Sequence, residues 1–298
     1  MKNALYYGDN LDILRNKIEP ESVDLCYIDP PFNSKRNYSQ IYNNQGSEDR
    51  AQAQAFVDTW EWGDEAIKGK EYINDVNNIN NGKFTNQTVE LIKGLEKVLG
   101  EGSLFAYLIH MTLRIVEIHR VLKPTGSFYL HCDPTVSHYL KLVLDSVFCG
   151  KNGEFRNEIV WNYRRWPTKT SRFQRMHDIV LFYGKHAKEN TFNTLLQPPT
   201  ESSVKRWKGK KQRVEFNKNG TRLPTQELDE DSEGVAMDDV WNIPIIAPVS
   251  QERLGYSFWV LAALNWTTVA QRRELPACFR VNTQKQAPTI PQEPVLDG

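Results

Sequence analysis

The apolar run from Val23 to Ile28 gives way abruptly to Asp29-Pro30-Pro31-Phe32, and there the residue types change from packing to chemistry. Each proline fixes φ near about −65° and removes a backbone donor, so the chain after Asp29 is a rigid element whose carbonyls stay free to accept. The Asp29 carboxylate, ionised at neutral pH, adds further acceptors, and Phe32 adds a flat apolar face. A group that accepts hydrogen bonds and stacks suits a planar ligand with an NH2 group. The exocyclic amine of adenine or cytosine is such a ligand. Its lone pair is delocalised into the ring, and acceptors that hold its hydrogens, here Asp29 and the Pro30 carbonyl, favour the tetrahedral nitrogen that can act as a nucleophile. A base inside a duplex cannot reach these groups, so it would have to be flipped out and stacked on Phe32. The plain alternative is a turn that ends a strand.

The surrounding pattern places the tetrapeptide at the carboxyl end of a strand, where open α/β sheets bind ligands. "NALYYGDNLDIL" reads as a short strand ending at Gly8, followed by Asp9 or Asn10 as cap for a helix through Leu14. Residues 38–88 are rich in Asn, Gln, Asp and Gly with little periodicity and read as an excursion from the core. From Val89 to Leu122 the apolar residues Leu108, Met111, Ile115, Ile118 and Leu122 fall at helical spacing. A Pro-Gly turn, a strand from Ser127 to His131 and a helix carrying Tyr139, Leu142, Val143 and Val147 follow. Glu158–Tyr163 and Asp178–Tyr183 are further strand candidates. This alternation predicts an α/β domain with a largely parallel sheet.

Charge is balanced over the 298 residues, with 37 basic and 37 acidic side chains, but it is unevenly placed. Lys205, Arg206, Lys208, Lys210, Lys211, Arg213, Lys218 and Arg222 crowd one stretch, and Glu227, Asp229, Glu230, Asp231, Glu233, Asp238 and Asp239 the next. Upstream, Arg156, Arg164, Arg165, Lys169, Arg172 and Arg175 are interleaved with Trp161, Tyr163 and Trp166, a mixture suited to phosphate contacts and base stacking. Either run could also be a solvated face. The four cysteines, Cys26, Cys132, Cys149 and Cys278, form no CxxC pair and read as buried thiols rather than a metal site. Apolar residues make up 40% of the chain, with neither a membrane-length run nor a signal-peptide pattern, so a cytoplasmic location is expected. G-x-S-x-G and G-x-x-x-x-G-K-[ST] are absent, which argues against hydrolase and P-loop chemistry.

Together, Asp-Pro-Pro-Phe, "GDNLDIL", "VLKPTGSFYLHCDPTVSHYLKLVLDSVF", "NEIVWNYRR", "HDIVLFYGK" and "DDVWNIPIIAPVSQERLGY" resemble successive blocks of the amino-group DNA methyltransferases. The likeness is to their permuted subgroup, in which the catalytic half comes first. The resemblance covers roughly residues 3–256 and implies a Rossmann-like fold, S-adenosylmethionine as methyl donor and double-stranded DNA as partner. It also implies a place in a restriction-modification system, with a restriction subunit or a second copy as a possible companion. Asp-Pro-Pro-Phe points to adenine N6 rather than cytosine N4. By position, Asp29, Pro30, Pro31 and Phe32 would be catalytic, Asp9, His131 and Asp133 would lie at the cofactor, and Arg164, Arg165, Lys169, Arg172, Lys205, Arg206, Lys208, Lys210 and Lys211 would contact DNA. For His131 the alternative is a satisfied histidine at a strand end.

Three segments follow from the resemblance. Residues 1–185 would be the catalytic half, 186–250 the target-recognition segment and 251–298 a tail foreign to the fold. After Tyr256 the chain carries "SFWVLAALNWTTVAQRR", which reads as a helix, where the family continues with Pro-Thr-Gln-Lys-Pro and a glycine loop under the cofactor. The sheet is therefore expected to be incomplete at its C-terminal side, with an open edge. The competing expectation is a catalytically inactive DNA-binding remnant.

Overall fold

The computed structural model describes residues 6, 9–30, 60–167, 169, 171–208, 210–212, 215–223, 228–231, 234–245 and 278–281. Pro31, Phe32, the strand expected before Gly8 and the helix expected after Tyr256 lie outside the described residues.

Helix α1 (Asn10–Lys17) starts at Asp9, whose carboxylate accepts from the Leu11 amide at 2.7 Å, and it leads into strand β1 (Val23–Ile28). Helices α2 (Asp64–Asn74), α3 (Val76–Asn80), α4 (Asn86–Leu99) and α5 (Ser103–Val121) follow, then β2 (Leu122–Cys132) and α6 (Ser137–Phe148). Strands β3 (Glu154–Asn162) and β4 (His177–Gly184) complete the run. Of the excursion expected over residues 38–88, 38–59 lie outside the described residues, and the rest is corrected, since 64–74, 76–80 and 86–88 are helical. Its apolar periodicity is weak because α2 buries small residues: Ala66 and Gly69 pack beside Ile73, and a Cβ at Gly69 would stand 2.7 Å from Ile109. The single helical pattern from Val89 to Leu122 is two helices, broken at Gly100, whose φ of +67° belongs to the region that glycine occupies freely.

Helix α5 is buried nearly all round, with Phe105, Tyr107, Leu108, Ile109, Ile115 and Ile118 fully inaccessible, as expected of a helix inside a core rather than on its surface. Each such side chain contributes about 1.5–3 kcal/mol through burial. Leu140, Val143 and Val147 of α6 and Phe128 and Leu130 of β2 close the same core.

Three shorter groups remain: β5 (Leu196–Gln197), α7 (Glu201–Trp207) and β6 (Lys210–Gln212); β7 (Glu215–Phe216), β8 (Arg222–Leu223) and β9 (Leu228–Asp231); and β10 (Val235–Ala236), β11 (Val240–Asn242) and β12 (Cys278–Val281). The main sheet has the order β11-β3-β4-β2-β1-β12. β1 runs parallel to β2, pairing Leu25 with Ser127 and Ile28 with Leu130, whereas β4 is antiparallel to both β2 and β3. The sheet is thus largely parallel, as the alternation predicts: five of its six described strands run the same way and β4 alone is reversed. β3 and β4 are joined by residues 163–176 without a crossover helix, which allows only antiparallel pairing. At the side expected to be open, β12, from the segment expected to be foreign to the fold, pairs in parallel with β1, from Leu25–Cys278 to Ile28–Val281, and forms the last described strand of the sheet.

The chain divides into two units, residues 1–191 with 240–298, and residues 192–239. The second contains α7 and three two-stranded ribbons. No helix among the described residues is long and apolar enough to cross a membrane. Cys26 and Cys132 are buried as expected, but Cys149 is exposed, because it begins the turn that ends α6.

Candidate active site

The parallel pair β1 and β2 ends at the edge of the sheet where the antiparallel β4 begins, so the last residues of two strands meet the first of a third. Asp29 follows β1, His131 sits near the end of β2 and Asp178 near the start of β4. Asp29 Oδ1 lies 3.0 Å from His131 Nδ1, and His131 Nε2 lies 3.5 Å from Asp178 Oδ2. The three side chains are 10%, 1% and 11% exposed. The Trp161 ring, 5.5 Å from the imidazole centroid, covers the histidine from β3.

Burial alone would push His131 toward its neutral form. The Asp29 charge, with hydrogen bonding and charge from Asp178, outweighs it and raises the pKa to about 9, so His131 is an imidazolium at neutral pH. Burial, followed by the nearby Asp133 and Asp178 charges, holds Cys132 as a thiol. Tyr163 is also pushed up, first by burial and then by Asp178. Asp29 Oδ2 is buried, and among the described residues no group hydrogen-bonds it. A buried carboxylate oxygen without a partner costs free energy, and it is the acceptor that an NH2 group arriving at the strand end would satisfy. Pro30, beside it, is buried.

The expected cofactor residues fall in different surroundings. Asp9 caps α1 and accepts from Arg114 of α5 at 3.0 and 3.3 Å, while Arg114 also donates to Asn10 Oδ1 at 2.7 Å and the His110 carbonyl at 3.1 Å. Asp9 still has 40% of its side chain exposed, and a carboxylate open to that extent fits the hydroxyl or ammonium donors of S-adenosylmethionine. Asp133 accepts from the Thr135 amide at 2.9 Å, from the Thr135 hydroxyl and from Arg175 Nη1 at 2.9 Å. His131 directs its ring nitrogens at Asp29 and Asp178.

Arg164, Arg165, Lys169 and Arg172 are exposed on the connection between β3 and β4, at the same sheet end as Asp29. Trp166 and Phe173 on that connection are 90% and 102% exposed. The expected stacking role of Trp161 and Tyr163 is corrected, because both are buried: strand pairing turns them inward, where Trp161 Nε1 donates to the Ile243 carbonyl at 2.8 Å. Arg156 pairs with Glu154 and Arg175 with Asp133, so neither is a free phosphate ligand. In the second unit Lys205, Arg206, Lys208 and Lys210 are exposed, and Lys211 belongs to β6 with its side chain outside the described residues. β6 pairs antiparallel with β9, Lys210 opposite Asp231, so the basic and acidic runs are neighbours in one ribbon.

Sequence reasoning missed Asp178. Its signal was an acid directly before the buried run of β4, a position that packing of an apolar strand does not account for.

The α/β sheet thus carries an acceptor carboxylate and a proline at a strand's carboxyl end, with an exposed basic, aromatic connection at the same end. The comparisons with known proteins give the family. The profile of the N6 and N4 DNA methylases matches residues 23–278, and the chain belongs to that family. It is 28% identical over 186 residues to the Type III restriction-modification enzyme StyLTI Mod subunit of Salmonella typhimurium, covering 61% of this chain and 24% of that protein. It is 22% identical over 185 residues to the Type II methyltransferase M.KpnI of Klebsiella pneumoniae, covering 61% of this chain and 32% of that protein. The chain thus spans about a quarter to a third of these relatives' length. Among solved structures, the PvuII DNA methyltransferase (cytosine-N4-specific) aligns with a TM-score of 0.29 at 14% identity, over 68% of this chain and 61% of that one.

Proposed function

We propose that this chain carries the catalytic site of a DNA methyltransferase of the permuted subgroup, which methylates the exocyclic amine of a flipped base, adenine N6, within a restriction-modification system. The observation that carries the reading is Asp29: one carboxylate oxygen fixed by His131, the other buried and without a hydrogen-bond partner among the described residues, beside the Pro30 backbone at the strand end.

Asp29 Oδ2 and the Pro30 carbonyl would hold the amine hydrogens and draw the nitrogen lone pair out of the ring. Phe32 would stack on the base. Asp9 would help hold S-adenosylmethionine, which would supply an electrophilic methyl group, its carbon–sulfur bond giving way to the new carbon–nitrogen bond with the electron pair left on sulfur. The nitrogen, now cationic, gives the hydrogen held at Asp29 Oδ2 to that oxygen, and the proton passes to water. Asp133 would steady the neighbouring loop through Thr135 and Arg175. Residues 192–239 would read the target, and Arg164, Arg165, Lys169 and Arg172 would grip phosphates of double-stranded DNA. A restriction subunit or a second copy would complete the assembly.

The test is calorimetric titration of the folded chain with S-adenosylmethionine, then transfer of labelled methyl to duplex DNA, with the products identified as nucleosides. N6-methyladenine formed by the wild type and lost in Asp29→Ala supports the reading. N4-methylcytosine would correct the target base. Folded protein that binds DNA but no cofactor would favour the other reading, a catalytically inactive DNA-binding remnant.

A further inference from the structure

Asp29, His131 and Asp178 come from three neighbouring strands and form a line of charges, with the histidine between two carboxylates. Asp29 faces it from β1, Asp178 faces it from β4 with the Tyr163 hydroxyl beyond, and the uncharged Trp161 covers it from β3. The adjacent Cys132 is buried as a neutral thiol. The three side chains are almost entirely out of water. An ion pair this buried is costly unless its geometry is used, and here it fixes one carboxylate.

We propose that His131 and Asp178 are positioning residues for Asp29: His131 binds Oδ1 and so commits Oδ2 to the amine of the flipped base, and Asp178, 3.5 Å from the other ring nitrogen, holds the imidazole in place. This rests on the methyltransferase reading and deepens it. A carboxylate free to rotate would share its acceptor positions among several orientations, whereas one held at Oδ1 presents Oδ2 in a single direction. Asp178 touches neither base nor cofactor in this scheme and acts through His131.

The histidine's titration can be read without catalysis. With histidine-labelled protein, NMR should show the wild-type His131 protonated well above pH 7, with a midpoint near 9, and a lower midpoint in Asp178→Asn, since burial remains while one carboxylate is gone. His131→Gln assigns the signal. In single-turnover transfer at saturating DNA, Asp178→Asn should lower the rate roughly tenfold to a hundredfold, the order expected for a misplaced reacting group. The alkaline limb of its pH profile should move down with the histidine, and its Kd for S-adenosylmethionine should stay as in the wild type. His131→Gln, which can still donate to Asp29, should stay folded and lose that limb. A wild-type midpoint near the ordinary histidine value overturns the proposal, as does Asp178→Asn or His131→Gln transferring with the wild-type rate and pH profile. A loss confined to cofactor affinity also overturns it. A wild type that transfers no methyl overturns the parent reading, and this one with it.

Discussion

Asp9 does two structural things, capping α1 and facing Arg114, and the proposed function adds a third, holding the cofactor. Asparagine caps a helix about as well as aspartate, so Asp9→Asn keeps the Leu11 contact and removes only the charge that faces Arg114. Breaking a fully buried pair costs about 3–5 kcal/mol and an exposed one about 0.2–1 kcal/mol. Arg114 is 11% exposed and Asp9 40%, so solvent screens the pair only in part. Arg114 would also retain Asn10 Oδ1 and the His110 carbonyl. A loss of about 2 kcal/mol is therefore expected for Asp9→Asn, between the two limits. Asp9→Ala also loses the cap, about 1 kcal/mol more. Urea unfolding followed by tryptophan fluorescence should rank wild type above Asp9→Asn and Asp9→Ala last. An Asp9→Asn protein as stable as wild type would refute the reasoning, because the pair would then contribute nothing. Calorimetry on the same folded variant tests the cofactor role: weaker binding of S-adenosylmethionine supports it and an unchanged Kd removes it.

Two further outcomes follow from the same structure. His119, buried against Phe148, has its pKa pushed down to about 3 by burial and then by the Lys151 and Lys185 charges, while that of His131 is raised to about 9. For His119 the neutral form is the folded one, so its contribution is complete above the unfolded value of about 6.5 and is lost as pH falls toward 3. For His131 the charged form is the folded one, so its contribution is complete below about 6.5 and is lost as pH rises through 9. Urea midpoints should fall on both sides of neutrality, each histidine contributing a slope of up to about 1.4 kcal/mol per pH unit, and His119→Gln should flatten the acid side alone. For DNA binding, replacing Arg164, Arg165, Lys169 and Arg172 together with glutamine should make the plot of log affinity against log salt shallower by up to about 0.9 for each phosphate that these side chains neutralise; an unchanged slope would remove the β3–β4 connection from the interface.

What the sequence made legible was local. Val23–Ile28 was readable as a strand, and Asp9 as a cap, because each signal lies within a few residues of its effect. The helix over Ser137–Phe148 was readable from Tyr139, Leu142, Val143 and Val147, although Leu142 is exposed and Leu140 and Leu144 complete the buried face. Strand direction was not readable. Nothing in "HDIVLFYGK" distinguishes a strand entering the sheet from below from one entering from above, and that single choice decides whether Asp178 lies at the Asp29 end or the opposite one. Burial likewise separated Trp166 from Trp161, two aromatics in the same basic stretch with opposite fates, since the pairing of Trp161 with Asp178 turns one ring inward while the other lies past the end of the strand.

The strand order explains why a histidine should be the residue that joins the two acids. Neighbouring strands lie about 4.8 Å apart, so carboxylates from β1 and β4, with β2 between them, begin roughly two spacings from each other. Neither acid need meet the other, yet each can reach a side chain from the middle strand. A lysine there would offer a mobile point charge, whereas an imidazolium offers two donors fixed on opposite sides of a rigid ring, one for each neighbour. The antiparallel turn of β4 is what brings Asp178 to this end at all. In a parallel sheet the same residue would start its strand at the far edge, and His131, buried with Asp29 alone, would lose the second carboxylate that holds its proton. The reversal of β4 is thus tied to the site itself, because it brings Asp178 beside His131 and so completes the trio on which the proposed positioning of Asp29 depends.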